Sequence, residues 1–260
     1  RGLIAWFGGP ERVRAFEYYS DGILFKWMAP PHLAVLPRDA AAYRELGLSG
    51  LLDLGVSPRP WWGPTWHAWW FARCAWDGGG DAAEALATYC RANFGGHAAA
   101  FAEAYRRLDA ACRQLLDRGG LEPMGRGDVL DYNDRPAEEL RALAGRAARA
   151  LEEFAAAAQA LPIAVDGAGL EAVEELAPTV AAGMHLAERV MAWDAVTQGQ
   201  AAEAQAHLGM ADVHLRALGD WYHAHGGPAW SAVAGPMLRG ARWHTDRVQA
   251  MAGGRGDPVR

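Results

Sequence analysis

The sequence predicts an α/β segment followed by an all-α segment, namely the last strands of a TIM-type β/α barrel and then a C-terminal helical domain. Two observations lead to this fold class. Residues 1–80 follow the order helix end, strand, helix and strand, which is that of a βαβ unit. Residues 81–260 repeat apolar side chains at helical spacing between glycine-rich stops. We therefore predict an incomplete C-terminal part of a barrel over 1–80, a helical domain over 81–260, and helix as the main structure overall.

The predicted barrel segment is punctuated by glycine and proline. Gly8-Gly9-Pro10 ends an opening helix, and residues 13–19 have the β-branched and aromatic content of a strand. A helix over residues 38–46 separates this strand from residues 48–56, an apolar run typical of a strand buried in a parallel sheet. Two strands cannot close a barrel, so we expect an N-terminal barrel segment of the same protein to precede Arg1.

The predicted helical domain is divided by caps and stops. Asp81 is suited to cap the first of its helices, because a carboxylate accepts hydrogen bonds from the free N–H groups of a first turn. Pro178 should start a new helix or kink an existing one. The predicted helices, including one that precedes the domain boundary, cover residues 66–76, 81–94, 98–117, 136–160, 170–195, 201–224 and 230–252.

Composition argues against several classes of function. The net charge of −6 is unlike that of a nucleic-acid-binding surface, and no apolar run is long enough for a membrane-spanning helix. No phosphate-binding loop, dinucleotide fingerprint or metal-ligand spacing occurs, so we predict neither a cofactor nor a metal. The three cysteines are expected to be reduced, buried thiols. Their odd number and the lack of a signal peptide slightly favour the cytoplasm, although the chain begins with Arg1 and its localisation stays open.

Two acidic residues fall late in the predicted strands, where a barrel presents its catalytic groups. Glu17 lies in the first strand and Asp53 in the second, and adjacent strands are about 4.8 Å apart. The two carboxylates could therefore flank one glycosidic bond, at about 5–5.5 Å for retention or about 6.5–9.5 Å for inversion. We predict both as catalytic residues. The alternative is a structural role, in which either acid pairs with an arginine or caps a helix.

The segments around the strands are rich in aromatic side chains, which suit the apolar faces of sugar rings. Prolines flank Trp61-Trp62 and should stiffen this pair as the wall of a sugar subsite. Trp69 and Trp70 are predicted as core residues instead, and the core is also the alternative for Trp66. The predicted substrate-binding residues are Tyr18, Tyr19, Trp27, His32, Trp61, Trp62, Trp66 and His67.

Five stretches in the same order resemble a known group of proteins: Phe16-Glu17-Tyr18-Tyr19, Pro30-Pro31, Tyr43 to Asp53, Ala72 to Asp77 and Tyr89 to Gly95. The chain resembles a bacterial family of unknown function attached to glycoside-hydrolase-like barrels, which are distantly similar to those of α-glucuronidases and β-hexosaminidases. The similarity covers residues 12–117. Family members often have Asp at position 17 and a Glu-Gln pair at 53–54. At each position, the acid of this chain therefore differs from the acid of the family by one methylene in reach. The resemblance implies activity on carbohydrate without fixing the substrate.

Three functions therefore remain open from the sequence. The first, which we take as the prediction, is a carbohydrate-active enzyme of the glycoside hydrolase type, with carbohydrate as its partner and neither nucleic acid nor membrane. The second is a non-catalytic, sugar-binding barrel, because a fold does not determine a function. The third is a helical interaction module in which Glu17 and Asp53 are structural.

Overall fold

The computed structural model of the chain describes residues 2–21, 28–56, 65–116, 137–162, 165–225, 238–239, 241–242 and 245–254. Two strands lie in the first part of the chain and long helices in the rest. Short 3-10 turns cover Pro10–Arg12 and Gly95–His97, and residues 245–252 are also helical. The strands are β1 (Arg14–Asp21) and β2 (Gly50–Val56), and the helices are α1 (Gly2–Trp6), α2 (Val35–Glu45), α3 (Thr65–Asp77), α4 (Ala82–Phe94), α5 (Ala98–Leu116), α6 (Ala137–Ala160), α7 (Gly167–Thr197) and α8 (Ala201–His225).

The prediction that the chain carries the last strands of a TIM-type barrel is wrong. In the described residues β1 and β2 pair only with each other, in a two-stranded sheet, and about 80% of the structure is helical. The strands run parallel and are joined through α2, as the βαβ pattern predicts. That pattern records only the local order of elements, and the same order serves a barrel or a small sheet supported by helices. The fold is therefore mostly helical with one small parallel sheet.

The sheet has two unlike faces, because successive side chains of a strand point to opposite sides. One face carries Glu17 and Tyr19, and both of these residues form hydrogen bonds with side chains of α2. The other face carries Phe16, Tyr18 and Leu52, all of which are exposed. Helix α2 thus covers one face of the sheet, and the polar side chains of that face lie between the sheet and the helix.

The long helices pack in the order of the chain. Helix α5 contacts α6, α6 contacts α7, and α7 contacts α8, while α4 joins them through α5 and α7. Asp81 caps α4, its carboxylate accepting a hydrogen bond from the N–H of Glu84 over 2.8 Å. Helix α7 continues through Pro178 as one element. No helix in the described parts of the chain combines the length and the apolar character that crossing a bilayer needs.

Helices α6 and α7 approach closely at a glycine. The ring of Phe154 on α6 is fully buried and lies against Gly183 on α7. A methyl group at Gly183 would overlap that ring, and moving the ring away is costly because the interior around it is close-packed. The contact fixes the spacing of the two helices at this level of the bundle.

We expect Gly183→Ala to lower the free energy of unfolding by about 3 kcal/mol, because either the Phe154 ring or the helix must shift out of its packed position. Urea unfolding measures the effect. The matched control is Gly209→Ala on α8, where an added methyl group meets nothing within 4 Å and should stabilise the helix by up to about 1 kcal/mol. Equal stability of the two variants would contradict the close approach.

Candidate functional site

The two acids predicted as catalytic lie side by side. Glu17 and Asp53 are direct partners in the register of the parallel strands. Both are partly exposed, and both belong to the sheet face that α2 covers. The structure thus brings together two carboxylates that are 36 positions apart in the sequence, and it does so through backbone pairing.

Glu17 accepts a hydrogen bond from α2, and Asp53 accepts one from the neighbouring strand. The Tyr43 hydroxyl donates to Oε1 of Glu17. The backbone N–H of Tyr19 donates to Oδ1 of Asp53 over 2.9 Å. This second bond lies at an irregularity between Glu17 and Ser20, where the register of β1 against β2 shifts. Asp53 therefore satisfies a donor that the irregular pairing would otherwise leave out of the ladder.

Asp39 and Tyr43 of α2 bind residues on this face of the sheet, and neither was predicted as a site residue from the sequence. Together with Glu17, Tyr19 and Asp53 they are here called the polar cluster. Tyr43 binds Glu17, and Asp39, one turn earlier on the same helix face, accepts a hydrogen bond from the Tyr19 hydroxyl over 2.9 Å. Burial and the hydrogen bond to Glu17 raise the pKa of Tyr43 to about 12. Burial, with the bond to Asp39, raises the pKa of Tyr19 well above its usual value. The only sequence signal was the i, i+4 spacing of Asp39 and Tyr43 in the helix between the strands.

The segment of residues 28–33, here called the proline loop, is bound by side chains of α3. The Trp66 indole N–H donates to the Pro31 carbonyl over 2.9 Å, and His67 donates through Nε2 to the Pro30 carbonyl. Trp66 and His67 are both buried. These two predicted substrate-binding residues therefore hold the proline loop and present no surface to a sugar in this conformation.

His32 links the proline loop to the sheet. Its Nε2 donates to the Tyr19 carbonyl over 3.2 Å, and its own carbonyl accepts a hydrogen bond from the Trp70 indole over 3.3 Å. The backbone of His32 has φ of 51°, a left-handed conformation that costs about 1–2 kcal/mol for a residue with a side chain. The conformation is held by bonds on both sides, and His32 is buried like Trp66 and His67.

Two helices of the bundle anchor the ends of the proline loop. Asp109 on α5 accepts the N–H of Leu33 over 2.9 Å, and Thr179 on α7 accepts the N–H of Ala29 over 2.9 Å. Asp109 is buried and also bonds Arg113 over 3.0 Å. The bundle and the sheet are therefore connected through backbone groups of one short segment.

The remaining predicted site residues divide into three groups. Tyr19 is buried in the polar cluster, and its hydroxyl and backbone both take part in the contacts of that cluster. Tyr18 is exposed on the opposite face of the sheet, where it packs edge to face on Phe16. Trp27, Trp61 and Trp62 lie outside the described residues.

The predictions for core tryptophans and cysteines can also be compared with the structure. Trp70 is fully buried, as predicted, and stacks on Trp66, which is fully buried as its core alternative has it; Trp69 is partly buried. The three cysteines are free and buried, which confirms the prediction, and burial raises their pKa values. Among the described side chains, no group of three or more His, Cys, Asp or Glu is arranged to hold a metal ion.

No known protein family, curated protein or solved structure matches the chain. The resemblance to a family with glycoside-hydrolase-like barrels therefore stays a prediction.

The buried histidines of the proline loop and α3 make the fold sensitive to acid. Burial lowers the pKa of His32 to about 4 and that of His67 to about 3. An unfolded histidine binds its proton near pH 6.5, so below that pH the unfolded chain binds more protons than the folded one. The free energy of unfolding should fall as pH drops from about 6.5 towards 4, by about 1.4 kcal/mol per pH unit for each histidine.

We expect His67→Gln to remove the contribution of one histidine to the pH dependence of the unfolding free energy. The glutamine side chain keeps an N–H donor near the Pro30 carbonyl. Urea unfolding between about pH 4.5 and about pH 6 measures the slope of the unfolding free energy against pH, because this interval lies between the folded and unfolded pKa values. The slope should decrease by about 1.4 kcal/mol per pH unit. His97→Gln is the control, because His97 is exposed. An unchanged slope in His67→Gln would show that His67 is not held neutral.

Proposed function

We propose that the chain carries a carbohydrate-hydrolysing site in which Glu17 and Asp53 are the working carboxylates. The observation that carries the proposal is their direct pairing on adjacent parallel strands, with both side chains on one face. Hydrolysis of a glycosidic bond uses two carboxyl groups, one acting as an acid and the other as a nucleophile or base. The pair needs fixed orientations, and the hydrogen bonds from Tyr43 and from the N–H of Tyr19 supply them.

The spacing of the pair favours a retaining reaction. The backbones of neighbouring strands lie about 4.8 Å apart, so carboxyl groups that extend in parallel from paired residues would be separated by close to the about 5–5.5 Å of retaining enzymes. An inverting enzyme leaves about 6.5–9.5 Å between its carboxyl groups to admit a water molecule. In a retaining reaction one carboxylate forms a covalent bond to the sugar and the other transfers the proton, so the two acids have different roles.

The aromatic residues enter this proposal in two ways. Trp27, Trp61 and Trp62 are retained as predicted sugar contacts on the strength of the sequence alone. Trp66 and His67 contribute indirectly, since they hold the proline loop that precedes α2, and His32 of that loop binds the Tyr19 carbonyl of β1. Tyr18 lies on the opposite face of the sheet and would contact a substrate only if the sugar extended around the sheet edge.

A second candidate function is an interaction module, and one observation favours it. Phe16, Tyr18 and Leu52 expose an apolar patch on the uncovered face of the sheet, and such patches often bind other proteins. In that case Glu17 and Asp53 would only stabilise the sheet. The two functions differ in their response to Phe16→Ser, which should abolish association and leave hydrolysis unchanged.

The decisive experiment replaces each carboxyl group by its amide. Glu17→Gln and Asp53→Asn preserve shape and one acceptor, so the fold should persist, while kcat on a panel of aryl glycosides should fall by about 10²-fold or more. The measurement is release of the aryl group, with the melting temperature recorded in parallel.

Glu45→Gln provides the matched control, because Glu45 is exposed at the end of α2 and makes none of the contacts of the polar cluster described above. Wild-type kcat in both amide variants would remove Glu17 and Asp53 from the site. A wild-type protein that hydrolyses no glycoside would reject the proposed function itself.

A further inference from the structure

A group of titratable side chains lies in the interface between α7 and α8. Helix α7 contributes His185 and Glu188, and α8 contributes His207 and His214. His185 is 3% exposed and Glu188 is 4% exposed. These four residues are here called the histidine layer, and none of them takes part in the contacts of the polar cluster or of the proline loop described above.

His185 binds α8 and has no place for a second proton. Its Nδ1–H donates to the Ala211 carbonyl over 2.9 Å. Because a carbonyl only accepts, this bond fixes the neutral tautomer with its lone pair on Nε2. Nε2 is buried and has no hydrogen-bond partner among the residues that the structure describes. A proton on Nε2 would therefore place a charged donor in the interface without an acceptor, which is costly for a buried group.

The charges around His185 also oppose a proton on its ring. Arg189 of α7, the ring of His214 and Arg242 all act against a positive charge there. Asp212 of α8 pairs with Arg242 and offsets part of that charge. Burial, together with these charges, lowers the pKa of His185 to about 3.

The two histidines of α8 differ in their partners. His207 donates through Nδ1 to Oε2 of Glu188 over 2.7 Å, so the carboxylate would compensate a charge on that ring. Nε2 of His214 is buried without a hydrogen-bond partner in the described part of the chain. Burial lowers the pKa of His214, although the charge of Glu188 opposes this shift. Acid therefore acts on the interface mainly through His185, and His214 acts in the same direction.

Helix α8 is the element that a charge in the histidine layer would displace. It packs mainly against α7, whereas α7 is also held by α4, α5 and α6. The buried apolar side chains in the middle of α8 follow one stripe of the helix: Leu208, Ala211, Leu215 and Leu218. His185 meets this stripe at Ala211, whose carbonyl it binds. Loss of that contact therefore weakens the packing of α8 within its apolar stripe.

We propose that the histidine layer is an acid-sensitive latch, in which protonation of His185 releases α8 from α7 while the rest of the bundle stays folded. A released ring takes up its proton near pH 6.5, and the docked ring does so only at a much lower pH. The docked state is therefore fully favoured above about pH 6.5, and each pH unit below that value shifts the equilibrium about tenfold towards release. Release exposes the apolar stripe of α8. The latch depends neither on the proposed function nor on the proline loop.

Hydrogen exchange in the full chain, followed by mass spectrometry, tests the latch. Protection factors correct for the intrinsic pH dependence of exchange, so they report the opening of each helix. Those of α8 should fall by about 100-fold between about pH 6.5 and about pH 4.5. Amides of α5 should stay better protected than those of α8 over this range, because α5 remains folded when α8 is released. Equal protection of the two helices at every pH, or unchanged protection of α8, would overturn the proposal.

The variant that tests His185 is His185→Gln, which keeps an N–H donor for the Ala211 carbonyl and cannot become charged. The protection factors of α8 should then lose about a tenfold change per pH unit. Two matched controls should keep the wild-type pH dependence of α8. They are His223→Gln, at an exposed position of the same helix, and His67→Gln, at a residue that binds the proline loop. A wild-type pH dependence in His185→Gln would reject the latch.

A second measurement decides the matter if His185→Gln does not fold. In the wild-type chain carrying ¹³Cε1-labelled histidine, NMR reports the charge of each ring. The His185 ring should become charged only as α8 loses its protection. A His185 ring that is charged while α8 remains protected would overturn the proposal.

Discussion

The structure depends on satisfying the backbone of the proline loop with side chains. Residues 29–33 lie among buried aromatic rings, and Pro30 and Pro31 have no N–H with which to pair in a helix or sheet. A buried backbone group without a partner costs about 1–3 kcal/mol, and the loop contains several. Donors from α3 bind its carbonyls, and acceptors from α5 and α7 bind the N–H groups at its ends. Three helices are thereby fixed relative to one another through one short segment.

The geometry of the candidate site depends in part on the proline loop. His32 holds the Tyr19 carbonyl, and the residues directly after it begin α2, whose N-terminal turn includes the hydrogen bond from the N–H of Leu36 to the His32 carbonyl. The orientation of α2 decides where Asp39 and Tyr43 meet the sheet. The loop thus helps to position the helix, and the helix positions Tyr43, the donor to Glu17, while the strand pairing positions the N–H of Tyr19 that binds Asp53. The buried bundle acts on the site through this path.

The sequence predicts the elements better than their assembly. Glycine and proline punctuation identifies both strands, and the pairing of Glu17 with Asp53 follows once the strands are neighbours in one parallel sheet. The extent of the sheet does not follow, because local alternation and punctuation are the same in a two-stranded sheet and in a barrel. Tyr43 and Asp39 were missed for a related reason. Their position on α2 is ordinary for a helix surface, and only the packing of α2 on the sheet brings them to the acids.

The tryptophans show why composition alone does not distinguish a binding residue from a core residue. An indole offers a large apolar surface and one N–H donor, and both a sugar subsite and a buried loop need that combination. Trp66 and Trp70 use it for the loop: their rings stack on each other in the core, and their N–H groups bind consecutive carbonyls of Pro31 and His32. The distinguishing feature is the acceptor, because an indole whose N–H already binds a buried carbonyl is committed to the fold. The aromatic density of the N-terminal part of this chain is therefore explained in part by the cost of burying a proline-containing backbone, before any ligand is considered.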